Sequence, residues 1–306
     1  MRRIVITGAS GQVGRRLARS LAGNGMAVTA IGSDVERLAD MLGDGALPAQ
    51  CLAANDLAGL DEALRGADVL FNCAFARGHE GHALARSLDY ASMVFSAARA
   101  AGIGAIVNVS SQSVYGSVRA ADSTEADPVN PGDRYAVAKY ASECLLAGIA
   151  AGSATRHTQV RLASLIGEGM EERLVTRFVA QAMAGLPLRI QGGAQQFAFL
   201  DMDDAVAGLA CMAAVPAAQW KAVYNLAPFA GASLREIAGA VAAAVAQATG
   251  RQVPVKVDGE GSPLDSRLDG SLFMRDFGFR PGRDLGASID AIIARRDWTD
   301  AGPGQP

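Results

Sequence analysis

A phenol and an ammonium stand four residues apart in the segment Tyr135-Ala-Val-Ala-Lys139. If 135–147 is helical, that spacing puts both side chains on one face, and the cation can lower the phenol pKa until its oxygen accepts a proton. The required shift, about three units from a reference value near 10, is worth roughly 4 kcal/mol, which a close ammonium in a partly dry cleft can largely supply. Such a pair suits proton transfer at a carbinol or a carbonyl.

A second candidate lies near the amino end, in Gly8-Ala-Ser-Gly11-Gln-Val-Gly14. It follows the short apolar run Arg3-Ile-Val-Ile-Thr7 and opens a helix expected over about 11–24. Missing β-carbons let the chain turn tightly, bring backbone close to a pyrophosphate and pack helix against sheet, while the helix amino end faces the negative charge. The glycine spacing differs from GxGxxG, so the strand and helix around it carry the dinucleotide reading. Where the second strand ends, an NAD site usually has an acidic residue for the ribose hydroxyls. The run here is Ala30-Ile-Gly32-Ser33-Asp34. Gly32 leaves room for a 2′-phosphate, with Ser33 or Arg37 as its ligand, so NADP is slightly favoured over NAD, although Asp34 is still within reach of a ribose. Asp56 reads equally as an adenine contact and as a helix cap.

These groups need a scaffold, and the pattern supplies one. Strands are expected at 28–31, 50–53, 69–74, 105–109 and 158–162, alternating with helices at 34–42, 58–65 and 82–101, the last stopped by Gly102, and with the helix opened by Tyr135. This predicts an α/β, Rossmann-like doubly wound parallel sheet with ligands at the carboxyl ends of its strands. Past Gly167 the pattern changes: a helix at 171–184, a short strand at 189–190 and a helix capped by Asp203-Asp204 and running to about 215. A strand at 222–226 is expected to return to the main sheet, followed by a helix from Ser233, a strand at 253–257 and a last helix at 285–296. The expected organisation is a core over 1–166, a mainly substrate-binding lid over 167–298 with 222–227 returning to the core, and a flexible tail at 299–306.

Composition narrows the partners. The 306 residues include 50% apolar and 19% charged residues and a net charge of −3, the balance of a compact globular protein with no basic stripe for nucleic acid. Arg15, Arg16 and Arg19 read as a solvated helix face, with contact to cofactor phosphate as the other possibility. Cys51, Cys73, Cys144 and Cys211 read as small core residues. His79 and His82, in a polar loop, lack the company of a metal site. The first strand begins almost at Met1 and no apolar run spans a bilayer, so the cytoplasm is the expected location.

Ser110-Ser111-Gln-Ser113-Val-Tyr115-Gly116 followed by the Tyr135–Lys139 segment resembles the extended short-chain dehydrogenase/reductase family, often labelled NAD-dependent epimerase/dehydratase. The resemblance spans the chain, through Thr7 to Gly14, Asn72-Cys-Ala74, Glu125-Ala-Asp-Pro128, Arg161, Ile166-Gly-Glu-Gly169, Asp203-Asp204 and Tyr224-Asn225. It implies that Ser111 holds the substrate oxygen, Tyr135 moves its proton as hydride passes between carbon and nicotinamide, and Lys139 stabilises the phenolate and reaches the nicotinamide ribose. It further implies cofactor contacts from Gly8, Ser10, Gly11, Gln12, Val13, Gly14, Cys73, Ala74, Leu162 and Ser164, and substrate contacts from Ser111, Gln112, Tyr135, Ser164 and Phe197. Tyr115 reads as pocket lining or as packing, Ser113 as a local cap, and Glu143, four residues after Lys139, as half of a structural salt bridge.

The chain also departs from the family. Many sugar-nucleotide enzymes have an arginine near Phe197 for the diphosphate and asparagine in place of Ser164. A neutral aromatic cannot neutralise a diphosphate, and Arg173, Arg177, Arg189 and Arg267 are candidates to compensate. The acidic pair of the dehydratases is replaced by Gln112-Ser113. The leading expectation is an NAD(P)-dependent oxidoreductase interconverting a secondary alcohol and a ketone on a sugar-like or small polar substrate. A nucleotide-sugar 4-epimerase and a catalytically inactive dinucleotide-binding regulator are the alternatives. A homodimer through the helices at 82–101 and 135–147 is expected.

Overall fold

The computed structural model describes residues 1–43, 49–76, 78, 80–119, 121–228, 230–295 and 298. The chain opens with β1 (Arg3–Thr7), α1 (Gln12–Gly23), β2 (Ala27–Gly32), α2 (Val35–Leu42), β3 (Ala49–Ala53) and α3 (Leu57–Leu64). The alternation continues through β4 (Val69–Asn72), α4 (Gly81–Ala100), β5 (Ala105–Ser111), α5 (Arg134–Ala150) and β6 (Arg156–Leu162). Next come β7 (Ser164–Ile166), α6 (Leu174–Met183), β8 (Leu188–Gln191), β9 (Gln196–Phe197), β10 (Phe199–Asp201) and α7 (Met202–Met212). The described remainder holds β11 (Val223–Leu226), β12 (Ala232–Ser233), α8 (Leu234–Thr249), β13 (Val255–Asp258), β14 (Asp265–Ser266), α9 (Ser271–Phe277) and α10 (Leu285–Arg295).

Seven parallel strands form the main sheet in the order β11-β6-β5-β4-β1-β2-β3. The side-chain alternation of its central strands explains why both faces are covered. Ile4 and Ile6 of β1, Val69 and Phe71 of β4, and Val107 of β5 enter one apolar cluster with Leu17 and Leu21 of α1 and Leu209 of α7. Val5, Leu70 and Ile106, one residue out of phase, enter the other cluster with Val94 and Phe95 of α4 and Leu146 of α5. The order in which strands are added reverses between β1 and β4, and the crevice beyond their carboxyl ends is where such a sheet accepts ligands.

A third cluster joins α6, α8 and α10 through Val179, Val241 and Ile289. Around it lie small pairings: β13 with β8, β10 with β7, and β9 between β12 and β14. The α8 helix starts in a reciprocal cap, where Ser233 and Glu236 bond each other's backbone, and ends at Gly250 with φ 73°.

Several expectations change. The fourth strand ends at Asn72, so Cys73 and Ala74 lie beyond it. The helix expected from 171 begins at Leu174, and the one expected to be capped by Asp203-Asp204 is capped by Asp201, whose carboxylate accepts from the Asp203 amide, and ends at Met212. Asp204 instead accepts from the Gly282 and Arg283 amides. Cys144 is exposed, not a core residue. The short strands β7, β9, β10, β12 and β14 escaped the sequence reading because two or three residues carry no period. Helix α9 did leave a signal, Phe273 and Phe277 four apart before Gly278. The expected tail, His79, and Arg296 of the last helix fall outside the described residues.

Candidate active site

The glycine turn is shaped by close backbone approach. Gly8 has φ 70°, and a β-carbon there would sit 2.5 Å from the Ala74 amide nitrogen. A β-carbon on Gly14 would collide with the Gly8 carbonyl, so neither position admits another residue without moving main chain. Beyond the turn lies a cavity of about 600 Å³ lined by Gly8, Ser10, Gly11, Gly32, Ser33, Cys73 and Ala74 on one side and by Arg86, Ser87 and Tyr90 of α4 on the other. The bare glycine backbone and the amino end of α1 at this cavity are the groups that could hold the pyrophosphate of a dinucleotide. A side chain at Gly32 would start 3.1 Å from the Ser10 hydroxyl.

Sequence reasoning missed the α4 wall. The Tyr90 hydroxyl is buried with no hydrogen-bond partner among the described residues, and burial pushes its pKa up to about 12. A tyrosine within an amphipathic helix reads as core, which hid it. Two expected cofactor residues are placed elsewhere. The Asp56 carboxylate caps α3 by accepting from the Gly59 amide, and exposed Arg37 follows the Asp34 cap of α2 without lining the cavity. Of the clustered arginines, Arg15 donates to Gln12 and Arg16 reaches Gln12 and Glu168, while Arg19 is exposed.

A neighbouring cavity of about 330 Å³ brings the chemistry together: Gly11, Gln12, Val13, Gly14 and Cys73 face Ser111, Gln112, Tyr135, Lys139, Leu162 and Ser164 across it. Ser111 ends β5, where its Oγ accepts from the Ser113 amide at 3.2 Å and the Ser113 hydroxyl at 3.0 Å. Asp133 caps α5 by accepting from the Ala136 amide at 2.8 Å, and the helix then presents Tyr135 and Lys139 together. Phe75 meets the Tyr135 ring edge-on at 6.1 Å. Lys139 is 5% exposed and donates to the Val109 carbonyl at 2.8 Å, with its Nζ 4.0 Å from the Phe75 ring centre and 5.9 Å from that of Tyr135. Burial lowers its pKa to about 8, against the opposing pull of Cys73 and Glu143.

Beneath the site runs a buried polar network. Thr7 donates to Asn72 at 2.7 Å, Asn72 to Asn108 at 2.9 Å, and Asn108 to Ser142 at 3.1 Å and Gln159 at 2.9 Å. Glu143 accepts from Ser110 at 2.5 Å and pairs with Arg161 at 2.7 Å, both partners 5% exposed. The expected salt bridge of Glu143 is therefore made across to β6 rather than along α5 to Lys139. Tyr115 is packing, not pocket lining: it is buried, donates to Asn225 at 2.8 Å and lies under the Arg161 guanidinium at 4.7 Å. These residues tie β1, β4, β5, β6, β11 and α5 together just below the reactive side chains.

The outer wall is built differently. Phe197 stacks on Phe199 at 5.5 Å and does not line the cavity of Tyr135. Arg119, not singled out in the sequence, donates to Gln112 at 2.7 Å, Ser123 at 2.7 Å and the Asp265 carbonyl at 2.9 Å. Arg267 is paired with Asp265 and Asp122, Arg189 with Asp258, and Arg177 is exposed. Arg173 lines the reactive cavity itself. His82 is exposed beside Glu80, and the described residues hold no cluster suited to a metal ion. None of their helices is long and apolar enough to cross a membrane.

The profile of the NAD dependent epimerase/dehydratase family matches residues 4–227. A dTDP-glucose 4,6-dehydratase of Streptomyces griseus is 28% identical over 213 residues, covering 67% of this chain but only 63% of that relative. Among solved structures, MoeE5 in complex with UDP-glucose and NAD superposes with TM-score 0.79 at 23% identity, covering 97% of this chain and 98% of the other. The UDP-N-acetylglucosamine 4-epimerase of Bacillus cereus does so with TM-score 0.80 at 19% identity, covering 95% of each chain. At such identities the structures establish a shared fold.

Proposed function

Since this chain belongs to the NAD-dependent epimerase/dehydratase family, we propose that it is an NAD(P)-dependent oxidoreductase interconverting a secondary alcohol and a ketone on a sugar-like or small polar substrate. One observation carries the reading: Ser111, Tyr135 and Lys139 line the same cavity as the glycine turn. When bound, the nicotinamide supplies the hydride acceptor or donor. Gly8 to Gly14 would hold the pyrophosphate and Cys73, Leu162 and Ser164 the nicotinamide half. The chain's own residues handle the proton. Ser111 holds the substrate oxygen by its hydroxyl, and Tyr135 takes the carbinol proton or returns it to the carbonyl. Lys139, buried as a cation below about pH 8, favours the phenolate through its charge.

NADP is the proposed cofactor by a small margin, because Gly32 places no carboxylate beside the Ser33 end of the adenosine cavity. Direct titration with NADPH and NADH tests it. The proposed division, a core over 1–166 and a substrate-binding region over 167–298, places the substrate between the sheet edge and the outer wall. Pairing of α4 and α5 with their counterparts would make a homodimer and cover the exposed Val137, which solution mass tests.

Purified protein should change nicotinamide absorbance with a polyol or carbonyl substrate, and Tyr135→Phe should remove that signal while retaining cofactor. Stereochemical inversion without net absorbance change would favour the 4-epimerase, a reading supported by the sugar-nucleotide enzymes of the same fold. Equal signals from the wild type and Tyr135→Phe would refute both.

A further inference from the structure

Resting on that reading of the reaction, we propose that Arg173 is the substrate's anion receptor and that the substrate is a sugar or polyol acid carrying one carboxylate, not a nucleotide diphosphate. The placement is specific. Arg173 stands just ahead of α6 and lines both the reactive cavity and a second cavity of about 570 Å³, and Tyr135 and Met170 line both as well. Arg173 therefore borders both spaces, as Tyr135 does.

The surrounding charges decide what it can hold. Lys139 is buried below the phenol and donates to the Val109 carbonyl. Arg119 spends its donors on Gln112, Ser123 and the Asp265 carbonyl, and Arg267 is neutralised by Asp265 and Asp122. Arg173 is different: among the described residues its side chain has no hydrogen bond or ion pair. Glu171 and Glu172 line the second cavity beside it, and Asp265 lines the more distant cavity bordered by Arg119. Among the described residues lining these two cavities, one unpaired guanidinium beside two carboxylates matches a single negative charge, and its planar fork matches a carboxylate in two parallel hydrogen bonds. The second charge of a diphosphate held at Arg173 would meet Glu171 and Glu172 across the second cavity, and like-charge contact works against it.

The test measures binding and turnover separately. Glucuronate, gluconate, glucose, glucose 6-phosphate and UDP-glucose are titrated by calorimetry into cofactor-loaded Tyr135→Phe protein, with Arg173 intact or changed to Ala or Lys, and with Arg177→Ala as a control on the same helix. With Arg173 present, at least one sugar acid is expected to bind about 10- to 100-fold more tightly than glucose. The preference falls below about threefold in Arg173→Ala, recovers in part in Arg173→Lys, which keeps the charge but loses the fork, and persists in Arg177→Ala. An unchanged preference in Arg173→Ala, or tighter binding of glucose 6-phosphate or UDP-glucose than of either acid, overturns the proposal. Hydride transfer by the Tyr135-containing protein reads the reaction independently. Carboxylate preference without turnover would refute the proposed reaction alone, and turnover indifferent to Arg173 would refute this inference alone.

Discussion

The two walls of the reactive cleft are built on opposite principles. On the inner wall, Ser111, Tyr135 and Lys139 stand on the end of a buried strand and on a long capped helix, over a polar network in which Asn72, Asn108, Glu143 and Arg161 are all nearly inaccessible. On the outer wall, Arg173 belongs to an exposed helix start, and behind it, outside the reactive cavity, Phe197 sits on a two-residue strand and Arg119 on a connecting segment that reaches the cavity only through Gln112. Groups that move a proton need fixed geometry, which buried regular elements impose. Groups that select a substrate can change on short connections without disturbing the sheet.

Five variants separate the walls. Tyr135→Phe removes the proposed proton-transfer group and is expected to reduce turnover by about 10²- to 10⁴-fold, measured as initial rate at saturating cofactor with folding checked by circular dichroism. Arg161→Met leaves the Glu143 carboxylate buried without its cation and should cost about 3–5 kcal/mol in urea unfolding. Adding Glu143→Gln to it should recover part of that loss, and a fully additive double variant would mean that the two side chains act independently.

Lys139 gives a pH-dependent measure of the same rigidity. Its folded pKa of about 8 lies below the ordinary lysine value of 10.5, so between those values the unfolded chain binds the proton more readily. Stability from this group rises with pH across that window and is lost as pH falls through about 8. The burial penalty at pH 7 is about 3 kcal/mol, so ligand-free Lys139→Met should exceed the wild type in stability there by up to that amount, with the gap closing towards pH 10.5. A pH-independent gap would contradict the buried cation. The smallest effect belongs to the outer cluster: Ser233→Ala breaks the cap of α8 and should cost about 1 kcal/mol, read as a shift in the urea midpoint with unchanged turnover.

The inner wall was also the legible one. The turn from Gly8 to Gly14 announces itself because a backbone that must approach another backbone excludes β-carbons, and Tyr135 and Lys139 do so because a helix fixes what lies four residues apart. The polar network was not legible. Asn72, Asn108 and Gln159 interrupt apolar strands, and only neighbouring strands in register reveal that each interruption satisfies the next. Glu143 illustrates the limit: sequence proximity suggested Lys139, while the parallel pairing of β5 and β6 brings Arg161 into reach. Likewise Asp56 reads equally as an adenine contact and as a helix cap, and in the fold it accepts from the Gly59 amide three residues ahead at 2.9 Å.

The sequence by itself determined the alternation that makes a parallel sheet, the glycine turn and the spacing of phenol and ammonium, because each depends on local backbone geometry repeated over a few residues. Tertiary structure alone decided which charges are consumed and which remain. Arg119 and Arg267 look as available as Arg173 in the linear chain, and only the fold turns the first two toward Asp265, Ser123 and Gln112 and leaves the third facing the reactive cavity. Charge pairing depends on distance through space, which residues more than a hundred positions apart acquire only when the chain closes on itself.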